Sequence, residues 1–406
     1  MNPKVNLLQK YNNFIERFGK IRTFIYYAAV LIELLLMIYE KTDLPLSSPR
    51  LMFRLTFLLT ILVVLLTQYS LKQWIVLILT FGFTFLCYKI TGNNDLLRFA
   101  MFVAASKDVN LDKLSKSYLM VTLAGFLGIA LCASLGAFGN LALTYDYGRK
   151  AGVETRYVLG FGHPNALHGA LFAVIILFIY VIEKRRPAIS GIGRLVTYCG
   201  ALLLNVFMFF LTDSRTGLVI TCFAILLAIV LHYAEKLRNS RFTYIVGAAV
   251  VAFSVGFSVW AAAISEHAKD KGSIYKKLDR ILTGRIWSLF QDTRTHKGTL
   301  ATWTLFGNEF SGNSFFDMGW VRMFYWYGII PSCLILALIA VIIYRVYKKR
   351  DYATLILLVT ISVYTIIEAA FMSSYIGRNF LLPIAGVYLL GSKWEDNSAR
   401  KEQILS

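Results

Sequence analysis

The sequence predicts an all-α, polytopic integral membrane protein of about twelve transmembrane helices. Three observations carry this expectation. Hydrophobic residues make up 57% of the 406 positions and charged residues only 16%, against roughly 25% charge in a soluble domain. The apolar residues fall in successive runs of roughly 20, the length that crosses a bilayer as a helix. Lys and Arg collect in short clusters between runs, and these clusters follow even numbers of them.

Taken in order, spans are expected near 22–39, 51–68, 73–90, 95–108, 117–138, 164–183, 193–212, 216–234, 242–264, 319–345, 353–372 and 378–392. The fourth and the last are short. Residues 1–21 are polar and basic, and no small-residue cleavage pattern follows the first run. That run is therefore expected to stay in the protein. No internal repeat relates the two halves and no soluble module interrupts them, so 1–406 reads as a single transmembrane domain.

The basic clusters set orientation. Lys4, Lys10, Arg17, Lys20 and Arg22 precede the first span, and Lys107, Lys113 and Lys116 follow the fourth. Lys184, Arg185, Arg186 and Arg194 follow the sixth, and Lys236, Arg238 and Arg241 the eighth. Arg345, Lys348, Lys349 and Arg350 follow the tenth, and Lys393, Arg400 and Lys401 come after the last. The positive-inside rule puts all of these, and both termini, in the cytoplasm. The fourth span is needed for this regularity, because without it the later loops would change sides. The net charge of +19 is thereby explained by topology. A nucleic-acid module would gather its basic residues on one soluble face, so no nucleic-acid partner is expected.

The five cysteines, Cys87, Cys132, Cys199, Cys222 and Cys333, all lie in apolar runs without CxxC spacing. Neither a disulfide framework nor a zinc site is indicated. Two outer loops are long, 139–163 and 265–318. In the second, Ile274, Leu278, Ile281 and Leu282 recur at helical spacing, the pattern of an amphipathic helix lying over the membrane.

Ionisable residues within or at the ends of spans suggest function by default. With this topology many of them reach the outer membrane level: Asp95 and Arg98, His163, Asp213 and Arg215, Arg285, Asp317, Glu368 and Arg378. Each also has a plainer reading. Arg98 pairs with Asp95 at i,i+3, Arg215 snorkels from a turn, and His163 caps the helix that Pro164 opens. His168 reads as a packing or hydrogen-bonding residue, Arg54 as a snorkelling one, and Lys276 and Lys277 as a solvated face. Arg149, Lys150 and Arg156 stay open, and Glu33 stands alone in mid-span with no assigned role. The remaining set is rich in arginine and short of paired acids. Arginine forks match phosphate oxygens, whereas a divalent metal wants several carboxylates. A lipid-linked phosphate or pyrophosphate is the ligand class expected, with no metal and no cofactor; an anion transporter would show a similar cluster.

Five strings carry a resemblance: GFGHPNALHGALF at 160–172, LTDSRTGLVI at 211–220, LTGRIW at 282–287, WTLFG at 303–307 and FMSSYIGRNFLL at 371–382. In order and interval they resemble the O-antigen polymerase and ligase superfamily, closest to the Gram-positive polymerases of capsule and exopolysaccharide. GNNDLLRFAMFVAASKD at 92–108 looks like that family's short early span, so the resemblance covers roughly 90–385. Where such proteins often carry Asp-Asn and an aromatic before the span after the large loop, this chain reads Phe316-Asp317-Met318-Gly319-Trp320.

The resemblance implies a GT-C-like glycosyltransferase of the bacterial cytoplasmic membrane. It would join polyprenyl-pyrophosphate-linked oligosaccharide repeat units at the outer face. Its partners would be the lipid-linked oligosaccharide, membrane lipid, and flippase and chain-length regulator proteins. Arg215 and Arg285, then Arg378, are expected on the phosphates, and His163 as the base, with Glu368, His296 and Asp317 behind it. Trp287, Trp303 and Trp320 are candidates for stacking on sugars. A ligase of the same superfamily and a lipid-linked oligosaccharide flippase are the rival readings.

Overall fold

The computed structural model describes residues 3–42, 49–145, 152–184, 191–291, 298–309, 316–369 and 371–391. Its helices are α1 (Pro3–Glu16), α2 (Gly19–Glu40), α3 (Pro49–Leu65), α4 (Leu71–Thr91), α5 (Asp95–Ala105) and α6 (Leu111–Ser134), then α7 (Pro164–Lys184), α8 (Gly191–Thr212) and α9 (Arg215–Tyr233). After α10 (Glu235–Asn239) and α11 (Arg241–Ile264) come α12 (Ile274–Ile281), α13 (Arg285–Gln291), α14 (Gly319–Tyr327), α15 (Ile329–Lys348), α16 (Tyr352–Tyr364) and α17 (Leu381–Leu390). Eight of them, α2, α4, α6, α7, α8, α9, α11 and α15, are long and apolar enough to cross a membrane.

Burial sorts these helices into an interior and a rim. Nearly every residue of α16 is buried, and α7 is buried on most of its surface. They pack on each other and on α9. Around them α8 and α4 turn large apolar side chains outward, including Leu203, Phe207 and Phe210 on α8. An apolar exterior of this kind has lipid, not water, as its natural solvent.

The polar contacts between elements alternate as the basic clusters do. At one end Arg22 donates to Lys107 O, Lys107 to Gln68 O at 2.7 Å, and Gln73 to Leu390 O at 2.9 Å. At the other end Arg378 pairs with Glu40, and Arg156 with Asp213 at 2.9 Å. The short α5 joins the two ends. Its start bonds Ser374 and the residues after it bond Gln68. At 11 residues it is too short for a bilayer, yet it is shielded by α3, α4 and α17.

Three expectations need correction. The run 319–345 is not one helix but two: the chain breaks at Gly328, φ +89°, where a Cβ would lie 2.2 Å from Gly307 N. Ile329 N and Ile330 N then donate to Thr304 O and Leu305 O, so the WTLFG string is a loop strapped onto the helix break. The all-α expectation also misses an antiparallel hairpin, β1 (Ala142–Tyr145) and β2 (Glu154–Tyr157), paired from Ala142↔Tyr157 to Tyr145↔Glu154. And Glu33 is not alone: Arg98 reaches it at 3.1 Å and Thr56 donates to it at 2.5 Å. In the loop 265–318, α12 forms as the spacing predicts, with Ile274 and Ile281 exposed.

Candidate functional site

The quoted strings first resolve into local geometry. In 160–165, Gly160 and Gly162 take left-handed backbone, and His163 Nδ1 accepts from Asn165 N at 3.1 Å to cap α7. In TDSRTG, Asp213 has φ +48° and Ser214 caps α9 by accepting from Gly217 N. Gly217 has no room for a Cβ because His168 packs on it, and His168 bonds Thr212 at 3.0 Å and Asn205 at 2.8 Å. In LTGRIW, left-handed Thr283 and Gly284 close α12, leaving Arg285 to open α13.

α16 stops at Tyr364, well inside the bundle, and α17 begins only at Leu381. Irregular backbone between apolar helices is tolerated where protein covers it or where it lines a cavity. Here it does the second. A cavity of about 460 Å³ opens between this segment, the start of α7, the middle of α6 and the end of α2. Its walls divide by chemistry. Lys41, His163, Asp317, Arg322, Glu368 and Arg378 line one part. Tyr118, Phe126, Phe172, Ile176, Tyr364 and Phe380 line the other, with Phe172 against Tyr364 at 4.6 Å and Tyr118 against Phe380 at 4.9 Å between ring centroids.

Specific contacts hold the charged part in place. Gly319 N donates to Thr365 O at 2.9 Å, and a Cβ there would lie 2.7 Å from Thr365 Cγ2; glycine lets α14 seat directly on the segment that carries Glu368. Arg285 Nη2 donates to Glu368 at 2.7 Å, and its Nε lies 3.5 Å from Asp317. Arg378 pairs with Glu40, whose carboxylate is also 3.6 Å from Lys41. From behind, Arg98 Nη1 donates to Ser374 O at 2.8 Å and Asp95 accepts from Ser374 Oγ at 2.9 Å. Arg98 also lies 3.6 Å from Asp95 and stacks over Phe53 at 4.0 Å. It is an internal anchor for the 371–380 segment and not part of the cavity wall.

The expected residues therefore divide. Arg378, His163, Asp317 and Glu368 share the cavity, and Arg285 stands one bond behind it. Arg215 is exposed at the start of α9 and is not in the lining; Asp213 pairs with Arg156, which also holds Glu154. The expectation of arginines short of paired acids does not hold, because Glu40, Glu368 and Asp317 face them. Trp320 is buried and donates to Ser362 O at 3.0 Å, so it is core; Trp303 stacks on Phe324 at 4.7 Å. His296, Arg149 and Lys150 lie outside the described residues. Lys41 and Arg322 were not singled out from the sequence. Lys41 lies just past a span end, and Arg322 inside a run read as one span, a position that is itself a signal.

Among the lining residues, Arg378 Nε and Tyr118 Oη are buried without a hydrogen-bond partner among the described residues. A buried unpaired donor costs free energy unless a ligand or water meets it. Electrostatics add two constraints. Burial, with the neighbouring charge of Arg378, lowers the ammonium pKa of Lys41 from 10.5 to about 8, against the opposing pull of Glu40 and Glu368. Loss of hydration also lowers the His163 imidazole below its ordinary value; Asp317 opposes this, while Arg156 and Arg285 add to it. Since Nδ1 of the neutral ring already accepts from Asn165 N, the proton sits on Nε2. His163 thus offers the cavity a hydrogen-bond donor. The free lone pairs needed by a base belong to the carboxylate of Glu368. No group of His, Cys, Asp and Glu arranged to hold a metal ion occurs among the described residues.

Comparison with protein families, with curated proteins and with solved structures finds no match to this chain.

Proposed function

We propose that this chain is a membrane glycosyltransferase, a polymerase that joins polyprenyl-pyrophosphate-linked oligosaccharide repeat units. It has twelve crossings in this reading, the eight long helices plus α3, α5, α16 and α17, in a GT-C-like arrangement with both termini cytoplasmic. The cavity then opens toward the outer face of a bacterial cytoplasmic membrane.

The observation that carries this reading is the division of the cavity wall. Cationic donors on one part and aromatic and aliphatic side chains on the other suit a molecule that is phosphate at one end and apolar at the other. The volume of about 460 Å³ is in the usual range for a ligand pocket, roughly 300–1,000 Å³. It is small for a long polyprenyl chain, whose tail must run on into lipid.

The chemistry follows from the placement. A hydroxyl of one repeat unit attacks the anomeric carbon of the other. The new carbon–oxygen bond forms as the bond to the phosphate oxygen breaks, and the pyrophosphate leaves with the electron pair. Arg378, Lys41 and Arg322 are set to hold the charge that builds on it, which is electrostatic stabilisation by preorganised donors. Glu368 takes the hydroxyl proton, held in position by Arg285. His163 donates from Nε2 to a phosphate or sugar oxygen.

The test is made in cells. Arg378→Ala and Glu368→Gln, present at normal level in the membrane, are expected to leave single repeat units on the lipid and no long polymer. Long polymer in both variants removes the reading. A deletion strain separates the rivals: unattached long polymer identifies a ligase, and lipid-linked units trapped on the cytoplasmic face identify a flippase.

A further inference from the structure

A second cavity, about 340 Å³, lies at the opposite end of the bundle, where α7 ends and the α15–α16 turn meets α17. Lys184, Lys349 and Arg350 line it, beside Leu111, Val387 and Tyr388. Two acids also line it, but their oxygens are engaged from within the protein. Glu183 accepts from the hydroxyls of Tyr198 and Tyr352, with His232 Nδ1 at 3.1 Å and Arg194 at 3.8 Å. Asp351 accepts from Lys184 and Tyr388, and from Thr354 N at 3.1 Å and Oγ1 at 2.6 Å. The exposed side chains in the lining are the two cations Lys349 and Arg350.

The turn that carries these cations breaks a local rule. α15 ends in a Schellman motif: Asp351 N donates to Val346 O and Arg350 N to Tyr347 O, each at 3.0 Å. The left-handed position of that motif is normally glycine. Here it is Arg350, at φ +51°. Its guanidinium lies over the Tyr347 ring at 4.5 Å and forms no ion pair with the described residues. The turn thus holds a non-glycine residue in a left-handed conformation, with an exposed guanidinium at the edge of the cavity.

We propose that this second cavity binds a phosphate ester anion. Lys349 and Arg350 supply the charge, and Arg350 the planar donors that fit phosphate oxygens. Leu111, Val387 and Tyr388 give an apolar wall beside the charge, at the end of spans where headgroups lie. Basic pockets between transmembrane helices recognise anionic headgroups in this way. The wall favours the headgroup of an anionic phospholipid over free phosphate. The inference is independent of the glycosyltransferase reading, because none of these residues lines the first cavity.

The experiment uses the purified full-length chain in detergent, with lipid retention read by native mass spectrometry. Phosphatidylglycerol is compared with phosphatidylcholine, and inorganic phosphate serves as a soluble competitor. Wild type is expected to retain phosphatidylglycerol preferentially. Lys349→Gln and Arg350→Gly are each expected to reduce that preference roughly fivefold, the weight of one basic residue near a headgroup. Arg350→Gly should melt no lower than wild type, since glycine suits the left-handed turn. Displacement of phosphatidylglycerol by millimolar phosphate would assign the cavity to a soluble phosphate ester. An equal preference in wild type and both variants, or no preference in wild type, overturns the proposal.

Discussion

The two ends of the bundle both bury charge, but they treat it differently. Around Glu183 the carboxylate is engaged from several sides at once. The carboxylate, fully buried, meets Tyr198, Tyr352, His232 and Arg194. Both ends border a cavity, but at the other end Glu368 has Arg285 as its one hydrogen-bonded side chain among the described residues, and Arg378 Nε and Tyr118 Oη lack partners among the described residues. A saturated network locks helices together. An unsaturated one beside a cavity is poised for a ligand. Charge at the ends of these helices is therefore not one signal but two, separated by how fully the buried carboxylate is engaged from within the protein.

The largest effect should come from breaking the closed end. Glu183→Ala leaves Arg194 buried without its carboxylate, and removing one partner of a buried pair costs about 3–5 kcal/mol. Thermal unfolding of the purified chain, or its folded yield in the membrane, checks this. A melting temperature within a few degrees of wild type would mean that the network is as dispensable as a surface pair.

Next comes the open end, where stability and activity should separate. Arg378→Ala is expected to lower polymer formation about 10²–10³-fold, the cost of losing one preorganised donor to a developing anion. Its melting point should stay near that of wild type, because Arg378 is balanced by the half-exposed Glu40. Equal losses of stability and activity would erase the contrast between the two ends.

The pH profile sharpens the same contrast. Lys41 carries its charge mostly below about 8, and only the protonated form can hold phosphate in the proposed reaction. Raising the pH through 8 should therefore weaken the donor substrate, with the charged fraction falling about tenfold per unit beyond it. Lys41→Arg, whose charge does not titrate in this range, should flatten the profile. A profile unchanged by Lys41→Arg would take Lys41 out of the site.

His163 is expected to matter less. Its ring caps α7 through Asn165 N, and losing a cap costs about 1 kcal/mol. His163→Asn should restore the cap and the stability while keeping a donor in the cavity mouth. If His163→Asn abolishes polymer at normal stability, the imidazole does chemistry that its tautomer in this structure does not suggest.

Much of the scaffold was legible in the sequence because hydropathy and basic clusters act over whole helices. Errors of a residue or two leave such signals intact. Local exceptions were not legible in the same way. The break at Gly328 depends on contact with Gly307, some twenty positions away, and apolar residues continue on both sides. The hairpin strands are four residues each, too short for alternation to stand out. At the site, Arg378 and Glu368 were found because charge inside apolar runs is conspicuous. The partner of Arg378 was not: Glu40, like Lys41 beside it, looks like an ordinary span-end residue, and only the folded chain brings Glu40 to Arg378. Pairing is a tertiary fact, and the count of acids near an arginine cannot be read from linear neighbours.

Arg215 is the case where sequence position and folded position disagree most, and it should show the smallest effect. Its string led the phosphate expectation, yet the turn is accounted for by Ser214 capping α9, Gly217 against His168 and Asp213 on Arg156. The guanidinium itself is exposed and outside the cavity wall. Substitution of such a residue usually changes stability by no more than about 0.5 kcal/mol. Arg215→Ala should then give long polymer at nearly the wild-type rate, while Gly217→Leu, which forces a side chain into His168, should destabilise. If Arg215→Ala instead leaves only single repeat units at normal membrane level, the substrate extends past the cavity mouth to the start of α9. Recognition would then be spread over two turns of the chain and not confined to one cavity.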